Sequence, residues 1–389
     1  MSLPFLTVDD VSLSGKRVLV REDFNVPIVN GVIQSDLRIR AAIPGLKKIL
    51  TEAKQVILMS HLGRPEAGVW QEEYSLQPVA IRLAELLQHE VSFSRDWPPD
   101  ANDKLVLLEN VRFKVGEVEN SPALAQQMAQ LCDVFVMDAF GSVHREHAST
   151  MGVAEYAPLA VAGPLLAAEV AAIDKIMLTP QRPLVAIIGG AKVSTKLAIL
   201  QSLLTIVDVL LIGGGMANTL LAAQGYNVGA SLYEPELRQT AREFLDKAQT
   251  TKTKVLLPVD VITQDGLNKD LQAIGTQDKI LDIGKKTIEL YTDNIANAVT
   301  ILWNGPLGVF EEPKFANGTI AVAQDIAQSR AFSVIGGGDT LVIIDKLQIA
   351  DKISYISTGG GAFLEYLEGR SLPGIKVLAK QRKNDITTN

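Results

Sequence analysis

The sequence predicts an α/β protein of two lobes, each a parallel sheet flanked by helices, with a hinge helix joining them. Three observations predict it. Short apolar runs of β-forming residues alternate with amphipathic helical stretches along the whole chain, as parallel α/β domains require. The 389 residues are enough for more than one domain. The residues at the strand exits also change character half-way, from arginine and histidine to glycine.

Arg17 to Arg21 is the first strand-like run, and it ends in a loop carrying Asp23, Asn25 and Pro27. Asp36 to Leu50 spaces Leu37, Ala41, Ile43, Leu46, Ile49 and Leu50 as a helix does. Arg38 and Arg40 fall in its first turn, where the helix dipole prefers acids, which favours a ligand role over a solvated face. Gln55 to Met59 is a strand that leaves through Ser60-His61-Leu62-Gly63-Arg64-Pro65. There His61 and Arg64 either bind an anion or form a capped turn with a surface arginine. Leu76 to Leu87 is helical. Lys104 to Leu108 leads to Glu109-Asn110-Val111-Arg112-Phe113, and Val134 to Met137 leads to Asp138-Ala139-Phe140-Gly141, with His144, Arg145 and His147 beyond. The first-half exits therefore carry Arg21, Arg38, His61, Arg64, Arg112 and Arg145, a basic crevice.

Met151 to Met177 is alanine-rich, broken by Pro158 and Pro164, and Pro164 suits the first turn of a helix. The expected division is 1–163 for the first lobe, 164–177 for the connecting helix and 178–370 for the second lobe.

In the second half four apolar runs end in glycines: L-V-A-I-I-G-G from Leu184, V-L-L-I-G-G-G from Val209, F-S-V-I-G-G-G-D-T from Phe332 and Y-I-S-T-G-G-G from Tyr355. Open parallel sheets bind ligands at the carboxyl ends of their strands. Glycine lets backbone and ligand approach closely, and freed N–H groups at helix starts face anions. The four turns thus suggest one glycine-floored nucleotide site. Asp339 is placed to hold a divalent cation beside the anion, and Thr340 either caps the next helix or binds phosphate. Lys192 and Lys196, four apart after Gly189-Gly190, are expected on one helix face awaiting phosphate. No Walker motif and no G-x-G-x-x-G opening a helix is present. Lys254 to Asp260 and Thr300 to Trp303 complete the strands, the latter followed by a Gly-Pro loop reaching Glu311. The polar end K-Q-R-K-N-D-I-T-T-N is expected to fray.

The composition, 47% hydrophobic and 21% charged, is that of an ordinary globular protein. A net charge of −7 without like-charge blocks argues against nucleic-acid binding. The single cysteine, Cys132, excludes an internal disulfide and is either a small hydrophobe or a reactive thiol. No signal segment and no run of membrane-spanning length is evident, which points to the cytoplasm.

Taken in order, R-E-D-F-N-V-P, S-H-L-G-R-P, L-L-E-N-V-R-F, D-A-F-G-S-V-H-R, G-G-A-K-V-S-T-K, W-N-G-P-L-G-V-F-E and G-G-G-D-T resemble the phosphoglycerate kinase family, from Arg17 to about Gly374. The resemblance implies reversible phosphoryl transfer between 1,3-bisphosphoglycerate plus ADP and 3-phosphoglycerate plus ATP, with Mg2+. It assigns Arg21, Asp23, Asn25, Arg38, His61, Arg64, Arg112 and Arg145 to phosphoglycerate. Lys192 and Lys196 go to the nucleotide phosphates, Glu311 to the ribose, Gly213 and Gly214 to the base, and Gly337, Gly338 and Thr340 to the nucleotide site lining. Asp339 takes the metal. Residues 371–389 are expected back in the first, phosphoglycerate-binding lobe, and the second lobe binds nucleotide. Glu22 stands where the family commonly has an apolar residue, and the tail after Leu378 runs past the usual family ending without an assigned role.

The chemistry agrees with this resemblance. An acceptor carboxylate is already ionised at neutral pH, with a pKa of roughly 4, so no general base is needed, and the chain offers no catalytic triad and no obvious base at the second-lobe strand exits. Phosphoryl transfer is mostly positioning and charge stabilisation, for which Arg38 and Lys192 are the expected catalytic groups. A monomer of two lobes that close on both substrates is the expectation; the rivals are a dinucleotide-dependent oxidoreductase and a two-lobed, non-enzymatic binder of a phosphorylated metabolite.

Overall fold

The computed structural model describes residues 3–388. The chain divides into two compact units, Met1–Ala171 with Ser371–Asn389, and Ala172–Arg370.

The first unit runs β1 (Arg17–Arg21), β2 (Ile28–Val29), β3 (Val32–Ile33), α1 (Leu37–Glu52), β4 (Gln55–Met59), α2 (Gln77–Leu87), β5 (Ser92–Ser94), β6 (Leu105–Leu108), α3 (Pro122–Ala129), β7 (Val134–Met137), α4 (Val153–Tyr156), β8 (Ala160–Ala162) and the start of α5 (Pro164–Met177). Six strands form one sheet in the order β5-β6-β4-β1-β7-β8, every neighbouring pair parallel. The inner strands are apolar throughout because both faces are covered. Val18, Val20, Val56, Leu58, Val134 and Val136 pack on one face against Ile39, Leu46 and Ile49 of α1 and Val79 and Leu83 of α2. The hairpin β2–β3 turns on Asn30 and Gly31, both at positive φ, an Asn-Gly signal the strand reading passed over. Cys132 is buried and its thiol is pushed up to about 12 by that burial, so it packs as a hydrophobe.

The expected frayed end is instead helical. Pro373–Thr388 is a helix that packs on α4 and β8. Gln381 fastens it, accepting from the Ala160 amide at 2.8 Å and donating to the Ala154 carbonyl at 2.6 Å. Tertiary hydrogen bonds overrode a polar composition; the final Asn389 lies outside the described residues.

The second unit continues with β9 (Leu184–Ile188), α6 (Leu197–Leu203), β10 (Val209–Ile212), α7 (Gly215–Ala223), α8 (Arg238–Gln249), β11 (Lys254–Leu256), β12 (Asp260–Thr263), β13 (Asn268–Asp270), β14 (Ile280–Ile283), α9 (Lys285–Ala296), β15 (Thr300–Asn304), α10 (Asn317–Gln328), β16 (Phe332–Gly336), α11 (Gly338–Lys346), β17 (Tyr355–Ser357) and α12 (Gly361–Leu367). Its main sheet is also six-stranded and parallel, ordered β11-β10-β9-β15-β16-β17. All four glycine-ended runs belong to it. Fully buried Trp303 anchors the centre, its indole N–H donating to the Gly305 carbonyl at 2.9 Å.

One difference from the sequence reading has a local cause. The strand expected over Lys254 to Asp260 breaks at Pro258, which has no N–H to donate; Asp260 instead opens β12 of a small antiparallel sheet, β13-β12-β14. The helix expected over 164–177 is α5, Pro164–Met177; α4 and β8 fill the boundary stretch before it, and the division between the units falls inside α5.

Candidate active site

In the first unit the carboxyl ends of β1, β4 and β7 and the turn after β6 bring the predicted basic residues together. Arg21 is 1% exposed although charged. Its Nε donates to Ser149 Oγ at 3.0 Å, Nη1 donates to the Glu22 carbonyl, and Nη2 lies 3.1 Å from His61 Nδ1. Arg38 extends from the first turn of α1 and donates from Nη1 to Asp23 Oδ1 at 3.0 Å and to the Asn25 carbonyl at 3.1 Å. Asn25 Oδ1 in turn accepts from the Gly63 amide at 2.9 Å, tying the first strand exit to the second. Arg112 sits in a short 3-10 turn, Val111–Phe113, and donates to the Gly63 carbonyl. Arg64 is exposed and Arg145 half-buried.

The electrostatics read as a cluster awaiting an anion. Burial, and then the positive fields of Arg21, Arg112, Arg145 and Arg38, hold His61 well below its ordinary value, so it is neutral. His147 falls to about 4 for the same reasons, burial first. Burial and the neighbouring Arg145 and Arg21 lower even Arg112 to about 10. Its Nε is buried without an acceptor, as a donor reserved for a ligand would be. Glu117, buried and accepting from the Ser149 amide at 3.0 Å and hydroxyl at 2.5 Å, is the counter-charge beneath. Burial raises its pKa, so it is a weak one.

In the second unit a cavity of about 250 Å³ opens at the strand ends. Gly190, Gly214 and Gly215 line it with Leu232, Val261, Ile280 and Leu307, and Glu311 and Asp339 stand in it. Gly214 sits at φ +71°, and a Cβ there would come 2.6 Å from the Gly190 carbonyl oxygen. Only glycine lets these turns meet. Gly213 packs beneath on Leu307 and is not part of the lining. Gly337, at φ +107°, precedes α11, and Gly338 opens that helix with free space around its Cα. Thr340 is fully buried and its Oγ1 accepts from the Gly305 amide at 2.8 Å, so it supports the Gly-Pro loop from behind. The glycines after β17 stay out of the cavity.

Lys192 and Lys196 do not share a helix face. They bracket a 3-10 turn, Val193–Thr195, and α6 starts only at Leu197. Lys192 is exposed, whereas half-buried Lys196 donates to Asn304 Oδ1 and has its pKa lowered by burial. The tight turn has a visible cause. Glu234 caps it, accepting from the Ser194 amide at 2.9 Å and hydroxyl at 2.5 Å.

Residues 8–370 match the sequence profile of the phosphoglycerate kinase family. The chain belongs to the phosphoglycerate kinase family. It is 52% identical to the phosphoglycerate kinases of Legionella pneumophila strains Corby and Paris, with 99% of each chain covered. Among solved structures it resembles phosphoglycerate kinase from Coxiella burnetii, with TM-score 0.93 and 48% identity over 97% of this chain and 99% of that one. The Pyrococcus horikoshii OT3 phosphoglycerate kinase covers the same shares at TM-score 0.82 and 31% identity. The activity is phosphoryl transfer between 1,3-bisphosphoglycerate and ADP, giving 3-phosphoglycerate and ATP in glycolysis. The oxidoreductase and binding-protein alternatives have no support. No helix among the described residues is long and apolar enough to cross a membrane.

Sequence reasoning missed the supports of both sites. Glu117 and Ser149 under Arg21, Glu234 under the lysine turn, and Asn304 between Lys196 and the Gly336 carbonyl all act across long sequence separations. Asn304, a polar residue ending an apolar strand, was the one with a local signal.

Proposed function

We propose that the first unit holds 3-phosphoglycerate on Arg21, Asp23, Asn25, Arg38, His61, Arg64, Arg112 and Arg145, and that the second holds ATP on Lys192, Lys196, Gly214, Glu311, Gly337, Gly338 and Asp339, with Gly213 and Thr340 supporting that surface from behind. The observation that carries this is the cluster of arginines around Arg21 and Arg112, with a buried Arg112 Nε lacking an acceptor. A phosphate and a carboxylate on one small molecule would supply the missing charge and acceptors.

Asp339 fits Mg2+. It is an exposed carboxylate in the cavity, and among the described residues no group of three or more acidic, histidine or cysteine side chains could cage a metal. That suits an ion that takes one protein carboxylate and otherwise phosphate and water. When bound with the nucleotide, the ion neutralises phosphate charge. Arg38 and Lys192 carry the charge on the transferred group, in a direct in-line transfer that requires the units to close on their substrates. Asn304 and Glu234 hold the lysines in place. The protein works as a cytoplasmic monomer with no nucleic-acid partner. A coupled assay following ATP-dependent consumption of 3-phosphoglycerate, run on the wild type and on Arg112→Ala, tests the reading; turnover untouched by that substitution would refute the assigned cluster.

A further inference from the structure

Glu22 and Asp138 follow directly on neighbouring parallel strands. Arg21 and Met137 are the last paired residues of β1 and β7, and the Asp138 amide donates to the Arg21 carbonyl at 2.9 Å. The next residue on each strand therefore stands beside the other, at about the 4.8 Å strand spacing. Both are buried, Glu22 at 1% and Asp138 at 2% exposure. Alternation puts them on the face of Val20 and Val136, at the top of the core that α1 covers. Glycines close over Asp138: a Cβ on Gly163 would stand 2.2 Å from its Cγ, and one on Gly45 of α1 would stand 3.6 Å from its Oδ2.

Asp138 Oδ1 accepts from the Leu166 amide at 3.0 Å, in the first turn of α5. Its Oδ2 and Glu22 Oε1 are buried and accept nothing. Two ionised carboxylates so placed would each keep a bare buried oxygen beside a like charge. A single proton between them removes one charge and supplies the missing donor.

We propose that Glu22 and Asp138 share one proton at neutral pH, and that this acid pair fixes the Arg21–Asn25 segment against the first turn of α5, making Glu22 a positioning residue for phosphoglycerate binding. The second clause rests on the reading of Asp23 and Asn25 as phosphoglycerate ligands; the first does not.

Around the pair stand Arg21, two further carboxyls and backbone groups. On the segment itself Arg21 is opposite in charge, but its side chain is committed to Ser149, His61 and the Glu22 carbonyl, while Asp23 is a like charge. α1 brings Gly45, and β4 brings the Met59 carbonyl, which accepts from the Glu22 amide at 3.0 Å. α5 brings the Leu165 and Leu166 amides and, one turn on, Glu169, a further buried carboxyl. Burial raises Glu22 well above the ordinary carboxylate range, the Asp138 charge adding to it, and burial raises Asp138 to about 7. The two titrate as one unit.

The test uses the full-length protein with 13C-labelled carboxyl groups and its Glu22→Gln variant, which keeps the shape and donates an N–H in place of the proton. The wild type should show one protonated side-chain carboxyl at pH 7 that is absent from Glu22→Gln. Calorimetric affinity for 3-phosphoglycerate should weaken several-fold more in the wild type than in Glu22→Gln between about pH 6 and pH 9. If every carboxyl of the wild type is ionised at pH 7, proton sharing is overturned. If the proton is present but both proteins show the same affinity profile, the positioning role is overturned. Asp138→Asn, if it folds, should abolish the same carboxyl signal, and persistence of the signal in both variants would refute the pairing. Loss of all 3-phosphoglycerate binding at every pH in the wild type would instead fault the functional reading, leaving the carboxyl titration to stand alone.

Discussion

Arg38 and Asp23 form a 3.0 Å ion pair that holds a guanidinium from the first turn of α1 over the exit of β1. The pair is partly exposed, 32% for Arg38 and 15% for Asp23, so its worth for stability is small and its effect is to aim Arg38. Arg64, by contrast, is an exposed side chain on the next strand exit. Arg38→Ala should therefore lower kcat by on the order of 10² to 10³ with little change in KM, as loss of a transition-state donor does. Arg64→Ala should mainly raise KM for 3-phosphoglycerate. Steady-state kinetics on both variants decide; equal effects confined to KM would show the roles to be misassigned.

Asp339→Asn should weaken metal-nucleotide binding or turnover and leave 3-phosphoglycerate affinity nearly intact, because the carboxylate lines a cavity of the second unit and lies outside the first unit's basic cluster. Turnover against magnesium concentration is the measurement. Wild-type behaviour at limiting magnesium would count decisively against the metal role.

The buried neutral imidazole of His147 gives the acid limb of stability a sign. Its folded pKa, about 4, lies below the unfolded value of 6.5, so between those pH values the unfolded chain takes up a proton that the folded one refuses. Stability from this group is intact above pH 6.5 and is lost as pH falls toward 4. A buried carboxyl such as Asp282 slopes the other way, since burial raises its pKa, and it is common to wild type and variant. Relative to wild type, His147→Gln should thus gain about tenfold in the folding constant per pH unit across that window. Denaturant titrations at several pH values measure it, and a difference that does not vary with pH would show His147 to be charged in the folded protein.

The residues proposed for phosphoglycerate belong to one unit and those proposed for the nucleotide to the other. Transfer needs reacting atoms roughly 3 to 3.5 Å apart, and water must be kept from the acyl phosphate. The radius of gyration in solution should fall most with 3-phosphoglycerate and a nonreactive ATP analogue together, and less with either alone. A ternary complex that scatters like the free protein would overturn closure.

Much of this protein was legible because the signals are local. Arg17–Arg21, Gln55–Met59, Val134–Met137 and Leu184–Ile188 are strands because short β-forming runs meet turn residues, and those same turns carry Asn25, His61, Gly190 and Asp138. Those local runs encode the two parallel sheets and the basic and glycine character of their ends. Which side chains meet there follows from packing. Arg21 finds Ser149 across 128 residues, and Lys196 finds Asn304 across 108, because strand order and register place them together, and neither is encoded in any window of neighbouring residues. The same holds for the lysine turn, where a capping carboxylate from Glu234 closes a 3-10 turn that helical spacing alone predicts as α-helix. Periodicity reports which face a residue wants to bury; sheet packing reports what it meets there.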